Sequence, residues 1–305
     1  MNKYVLEVNN LTKKFGNFVA VDNISFDMKE GEILGILGPN GAGKTTTIHM
    51  LLHIMEPTNG TIKYFGKELN KHREEILRNI NFSSTYISLP WFFTVDEVLD
   101  IFARLYGIPD KNKRINKLLK EFEIEHLRKR QYSMLSAGER TRLILTKAFL
   151  NYPKVILLDE PTSSLDPDIA IKIRRFLIKE RNEYDVSILL TSHNMAEVEE
   201  MCDRILVIKS GKILVTGTPS ALTKTISECT IELNLDNLEK ARKLFNSKKI
   251  NFELNKSRFN IKIDEKRISE LLSLLSAENI EYSEISIFKP DLEDFFINIV
   301  NEKND

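Results

Sequence analysis

Gly38-Pro39-Asn40-Gly41-Ala42-Gly43-Lys44-Thr45-Thr46 is the stretch on which the fold turns. Its spacing is G-x-x-x-x-G-K-[ST], a phosphate loop, in which glycines let the backbone curl until its N–H groups converge on phosphate oxygens. The apolar run Ile33–Leu37 precedes it, and a stretch of helical periodicity follows as far as Met55. The strand before and the helix after that such a loop requires are therefore both expected. In that setting Lys44 brings a point charge to the outer phosphates, and the Thr45 hydroxyl is placed to ligate Mg²⁺.

Working outward, Val155–Leu158 is a second buried-strand candidate that ends in two carboxylates, Asp159 and Glu160. Asp159 suits the Mg²⁺ side of a phosphate site, through water, and Glu160 is placed to polarise an attacking water as general base. Leu135-Ser136-Ala137-Gly138-Glu139 opens a helical run to Leu150. Ser136 and Glu139 have capping-box spacing, and a second anion site at the Ser136 hydroxyl and Gly138 N–H stays open beside that reading. Ser187–Thr191 is a third strand, and a hairpin around Ser210–Gly211 joins Arg204–Lys209 to Lys212–Thr216. From Val5 to about Thr216, short β-branched runs alternate with amphipathic stretches, an α/β pattern. A capping box at Thr94-Val-Asp-Glu97, a break at Gly107 and a further helix Lys111–Phe122 mark a helical insert over about 85–131.

The chain has 305 residues, 44 basic and 44 acidic, with 42% hydrophobic, which fits about two domains at roughly 150 residues each. A net charge of zero argues against nucleic acid as partner. No apolar run approaches the roughly 20 residues of a membrane span, and MNKYVLEVNN lacks a signal-peptide core, so a cytoplasmic chain is expected. Cys202 and Cys229 show no disulfide or metal spacing. His49 and His53 are four apart on the expected phosphate-loop helix, but no third ligand accompanies them and a surface helix face is the plainer reading. After Pro219 the pattern becomes β-α-β-β-α-β with a last helix after Pro290, the order of a small α+β ferredoxin-like domain. From Thr225 onward, 12 Lys/Arg stand against 16 Asp/Glu. The expected domains are 1–222 and 225–305.

The joint set of motifs over about Tyr4–Leu222 resembles the nucleotide-binding subunit of ATP-binding cassette (ABC) transporters. LSAGE looks like that family's signature loop, Ser164-Leu165-Asp166 its D-loop and Thr191-Ser192-His193 its switch histidine, while Phe15 sits where the family stacks a ring on adenine. The resemblance implies a P-loop cassette with a RecA-like α/β core, an antiparallel β subdomain and a helical subdomain. It implies ATP and Mg²⁺ at Gly38–Thr46, with Thr46 beside Lys44 and Thr45, and with Asp159 supporting the metal. It also implies that Glu160 acts on water and that His193 contacts the γ-phosphate or holds Glu160. Ser136, Gly138 and Asp166 would serve the nucleotide of an opposing subunit, so a homodimer or a paralogue dimer is expected. The family's Q-loop Gln falls at Thr85, a metal-side position by that resemblance, whose hydroxyl can ligate Mg²⁺ or hold its water but is shorter and lacks the amide. With no membrane span, the partner would be a multi-span permease on a separate chain, the subunit lying on the cytoplasmic face and driving export. A soluble ATPase acting on ribosomes or DNA, or a transporter ATPase regulated by a ligand at the tail domain, are the alternatives.

One run remains outside these motifs, Trp91-Phe92-Phe93 ahead of the Thr94 box. Neighbouring side chains on an extended segment point opposite ways, so one or two of the three rings should stay exposed as a contact for the permease.

Overall fold

The computed structural model describes residues 4–84 and 87–302; Thr85, the expected Q-loop position, lies outside the described residues. The chain divides into two compact units between Thr218 and Pro219, slightly ahead of the boundary read from the sequence.

In the first unit, a six-stranded sheet runs in the order Lys212–Gly217, Arg204–Lys209, Ile33–Leu37, Ser187–Thr191, Val155–Asp159, Ile80–Ser84. All neighbours are parallel except the hairpin pair 204–209 and 212–217. Ile33–Leu37, Val155–Asp159 and Ser187–Thr191 are buried along their whole length. Unbroken apolar runs are what parallel strands covered on both faces require. The register sets Ile36 beside Thr191, Thr191 beside Asp159 and Asp159 beside Ser84. That row lies at the carboxyl ends of the strands, where open α/β sheets bind ligands.

An antiparallel sheet, ordered Phe18–Lys29, Tyr4–Phe15, Asn59–Tyr64, Lys67–Glu68, shares one core with it. Leu6, Val21, Met28 and Tyr64 pack in the same buried cluster as Leu34, Ile36 and Leu189. Each such side chain contributes roughly 1.5–3 kcal/mol on full burial. Between Ser84 and Val155 the described residues form three α-helices, Val95–Leu105, Lys111–Glu121 and Ala137–Ala148, with short 3-10 turns at Glu125–Leu127 and Tyr132–Met134. Both expected capping boxes form: the N–H of Glu97 donates to Thr94 Oγ1 at 3.3 Å, and that of Glu139 to Ser136 Oγ at 3.2 Å.

The phosphate-loop helix is shorter than its periodicity suggests, spanning Lys44–Leu51 rather than reaching Met55. His53 adopts a left-handed φ of 54°, and the N–H of Ile54 turns back to the His49 carbonyl at 3.0 Å, which closes the helix. His49 and His53 therefore do not share a helix face, and among the described residues no group of three His, Cys, Asp or Glu could hold a metal. No described helix is long and apolar enough to cross a membrane.

The second unit has a four-stranded antiparallel sheet in the order Phe252–Asn255, Arg258–Asp264, Glu228–Leu235, Tyr282–Phe288. Cys229, Ile231, Leu233 and Leu235 alternate inward onto Leu244 and Phe245 of helix Leu238–Ser247 and Leu271 and Leu275 of helix Ile268–Ala277. A last helix runs over Leu292–Glu302.

Candidate functional site

The loop after Leu37 is shaped by two glycines that nothing larger could replace. A β-carbon at Gly38 would lie 2.3 Å from the Ile208 carbonyl oxygen and 2.9 Å from Ala42 Cβ. At Gly43, where φ is 105°, it would lie 2.5 Å from the Ala20 carbonyl oxygen. The loop is thus pressed against strands on both sides and enters its helix through a left-handed residue. Lys44 is buried, and its Nζ donates to the carbonyls of Gly38 at 2.5 Å and Pro39 at 3.1 Å. Burial pushes its ammonium below the usual range, opposed by the negative charges of Glu160 and Asp159. Thr45 is exposed and Thr46 half-buried on the first turn.

Asp159 is buried at the end of its strand. Its Oδ1 accepts a 2.6 Å hydrogen bond from Thr191 Oγ1, and its Oδ2 accepts from Ser84 Oγ at 3.4 Å. Glu160 follows with a left-handed φ of 51°, a conformation that costs a non-glycine residue about 1–3 kcal/mol and persists where the surrounding structure holds it. Its N–H donates to the Thr191 carbonyl at 3.1 Å, and its Oε1 lies 2.7 Å from His193 Nε2. The turn separates two consecutive carboxylates: one is fixed beneath hydroxyls, the other faces an imidazole.

Two residues of this arrangement were not singled out by the sequence reading. Thr191 anchors both Asp159 and the Glu160 backbone. Glu197 is buried and accepts from Thr162 Oγ1 at 2.8 Å and from Ser192 Oγ at 2.7 Å, joining the segment after Glu160 to the segment before His193. Its signal was legible in Asn194-x-x-Glu197, a helix-start spacing in which the Asn194 side chain accepts from the Glu197 N–H at 3.2 Å.

The remaining expected residues form separate groups. Ser136 is exposed, its hydroxyl oxygen taking the Glu139 N–H. A β-carbon at Gly138 would come within 3.3 Å of the Ser164 carbonyl, so the loop at Ser136 packs on the segment that leads to Asp166. Asp166 precedes helix Pro167–Tyr184 without a side-chain cap bond. Phe15 ends its strand half exposed, with Lys13 Nζ 5.3 Å from its ring centroid. Trp91 and Phe92 are 70% and 58% exposed, while Phe93 is half-buried with its ring 4.6 Å from that of Phe92.

A glycine cradle, a buried lysine, a strand-end aspartate and a glutamate held against a histidine are the parts of a nucleotide-hydrolysing site. Residues 21–163 match the ABC transporter family. The bacitracin transport ATP-binding protein BcrA of Bacillus licheniformis is 38% identical over 69% of this chain and 68% of its own length. The chain belongs to the ABC transporter family. A Nod factor export ATP-binding protein I of Ralstonia nicotianae is 36% identical over 79% of this chain and 75% of its own. Among solved structures, a dimeric ATP-binding cassette in a post-hydrolysis state with ADP and Pi superposes with a TM-score of 0.66, at 26% identity over 70% of this chain and 98% of that one. The protein is accordingly an ABC transporter ATP-binding subunit and an ATPase with the P-loop cassette fold. ATP-binding subunits of this family work with a transmembrane partner and dimerise.

Proposed function

We propose that the subunit hydrolyses Mg-ATP at the end of the central strands and thereby drives export through a separate multi-span permease, from the cytoplasmic face of the membrane. The observation that carries this reading is the 2.7 Å pairing of Glu160 with His193 directly after an Asp159 fixed by two hydroxyls. Phosphate oxygens would take over the contacts Lys44 now makes with the Gly38 and Pro39 carbonyls, and free backbone N–H groups of the loop would line the cradle. The Thr45 hydroxyl and the Asp159 carboxylate are hard oxygen donors of the kind that suits Mg²⁺. Mg²⁺ neutralises charge on the phosphate oxygens when bound. Glu160 draws the proton from the attacking water, and His193 holds the Glu160 carboxylate in place. Phe15 stacks on adenine, and Ser136, Gly138 and Asp166 serve the nucleotide of an opposing copy or paralogue. Trp91 and Phe92 form the contact with the permease. Export is favoured by the relatives named for bacitracin transport and Nod factor export. The tail, read from the sequence as a ferredoxin-like domain of residues 225–305, acts in packing or dimerisation.

Replacing Glu160 by Gln tests the central step. The variant should bind ATP as the parent does yet turn it over about 10²–10⁴-fold more slowly. Hydrolysis at the parental rate would remove Glu160 from the reaction.

A further inference from the structure

A cavity of about 850 Å³ opens on the first unit between the start of helix Lys111–Glu121, the end of helix Pro167–Tyr184 and the turn before strand Val155–Asp159. It shares no lining residue with the nucleotide site, and its volume lies in the range of small-molecule sites. Four cations line it, Lys113, Arg114, Lys117 and Lys154, against two acids, Asp110 and Glu180. Nearby surface lysines are ion-paired, Lys172 with Glu123 at 2.7 Å and Lys179 with Glu121 at 3.1 Å. Among the described residues, none of the cavity cations has an ion-pair partner within 4 Å.

Three of them lie over aromatic rings instead, Lys154 with its Nζ 5.9 Å from the Phe65 centroid and the other two against tyrosines of the wall. The Arg114 guanidinium lies 3.9 Å from the Tyr152 ring centroid, its Nη2 donates to the Phe149 carbonyl at 2.5 Å, and its Nε is buried without a partner. Lys117 Nζ lies 5.1 Å from the Tyr184 centroid and 3.3 Å from its hydroxyl. Both tyrosines nonetheless leave over half of their surface open, 58% and 53%. The one buried acid on the wall, Glu180, has its carboxyl pushed up by burial, against the pull of Arg114 and Lys117.

We propose that this cavity binds a ring-bearing organic anion, an aryl or heteroaryl group carrying a phosphate or carboxylate. Tyr152 and Tyr184 offer faces for the ring, and Lys117, Lys154 and Arg114 offer charge-assisted bonds to the anion. A neutral ligand would leave those cations unpaired, and a bare inorganic anion would leave the tyrosine faces in water.

The test is calorimetric titration of the full chain, its nucleotide site filled with Mg-ADP, with 1-naphthyl phosphate as probe. Saturable binding at one site per chain is expected, about tenfold weaker in Lys117→Gln/Lys154→Gln and retained in Lys117→Arg/Lys154→Arg. The neutral twin 1-naphthol and inorganic phosphate should each bind at least about tenfold more weakly than the probe. Both lysines are exposed, so the variants should melt as the parent does. Absence of probe binding, equal affinity in the Gln variant, or 1-naphthol binding as tightly as its phosphate would each overturn the proposal.

Discussion

Lys147 lies near the end of the helix that Ser136 starts, and only 8% of it is exposed. Its Nζ is 3.5 Å from Asn81 Oδ1 and 5.4 Å from the Phe102 ring centroid, and among the described residues no carboxylate pairs with it. Desolvation pushes its ammonium from 10.5 down to about 8. That fall makes the charged form roughly 3 kcal/mol less favourable in the fold than in the unfolded chain. Lys147→Met keeps the length of the side chain and removes the charge. It forfeits the ring contact, about 0.5–1 kcal/mol, and a long bond to Asn81 Oδ1, which still accepts from the Phe82 N–H at 2.8 Å. The variant should therefore be about 2 kcal/mol more stable at pH 7, with a Tm higher by about 4–8 °C. Between pH 8 and 10.5 the unfolded parent binds more protons than the folded one, so parental stability climbs with pH through that window. The advantage of Met should shrink across it and be gone above it. Urea unfolding at pH 7 and pH 9.5, followed by circular dichroism, measures both quantities. A Met variant that is less stable at pH 7, or a difference independent of pH, would refute the reasoning.

In a Glu160→Gln background, ATP should drive the subunit into a dimer of doubled mass by light scattering, and Ser136→Arg should return it to monomer. A dimer indifferent to both would assign association to the tail. Ser136→Ala should cost about 1 kcal/mol through loss of the capping box, and an unchanged thermal melt would show the box to be idle. Replacing Trp91 and Phe92 together by Ser should uncouple the subunit from its permease while basal ATPase activity persists, since neither ring is in the core. Normal assembly and transport in that variant would return the segment to ordinary surface.

Where one physical cause acts over a short span, the sequence was sufficient. The phosphate loop, both capping boxes and the central strands are local patterns of glycine, hydroxyl and unbroken apolar residues, and they stand where they were expected. The end of the phosphate-loop helix was not legible, because the apolar periodicity continues past Leu51 while a left-handed His53 stops the hydrogen bonding. Thr191 and Glu197 were missed for a different reason. Their partners Asp159 and Thr162 are brought close by sheet register and chain reversal, which no local spacing encodes.

Those two residues also explain how paired carboxylates can differ in surroundings while adjacent in sequence. A strand alternates its side chains, so Asp159 and Glu160 would part by pleat alone. The left-handed turn at Glu160 goes further, because Thr191 bonds the Asp159 carboxylate through its hydroxyl and the Glu160 N–H through its carbonyl. One residue of the neighbouring strand thus fixes the aspartate side chain and the glutamate backbone at once. Glu197 then ties Thr162, two residues after Glu160, to Ser192, one residue before His193. The spacing of 2.7 Å between Glu160 and His193 is therefore held from behind by a buried acid, and not by the two side chains alone. Positioning from a fixed scaffold is what gives a short, partly exposed pair a defined geometry.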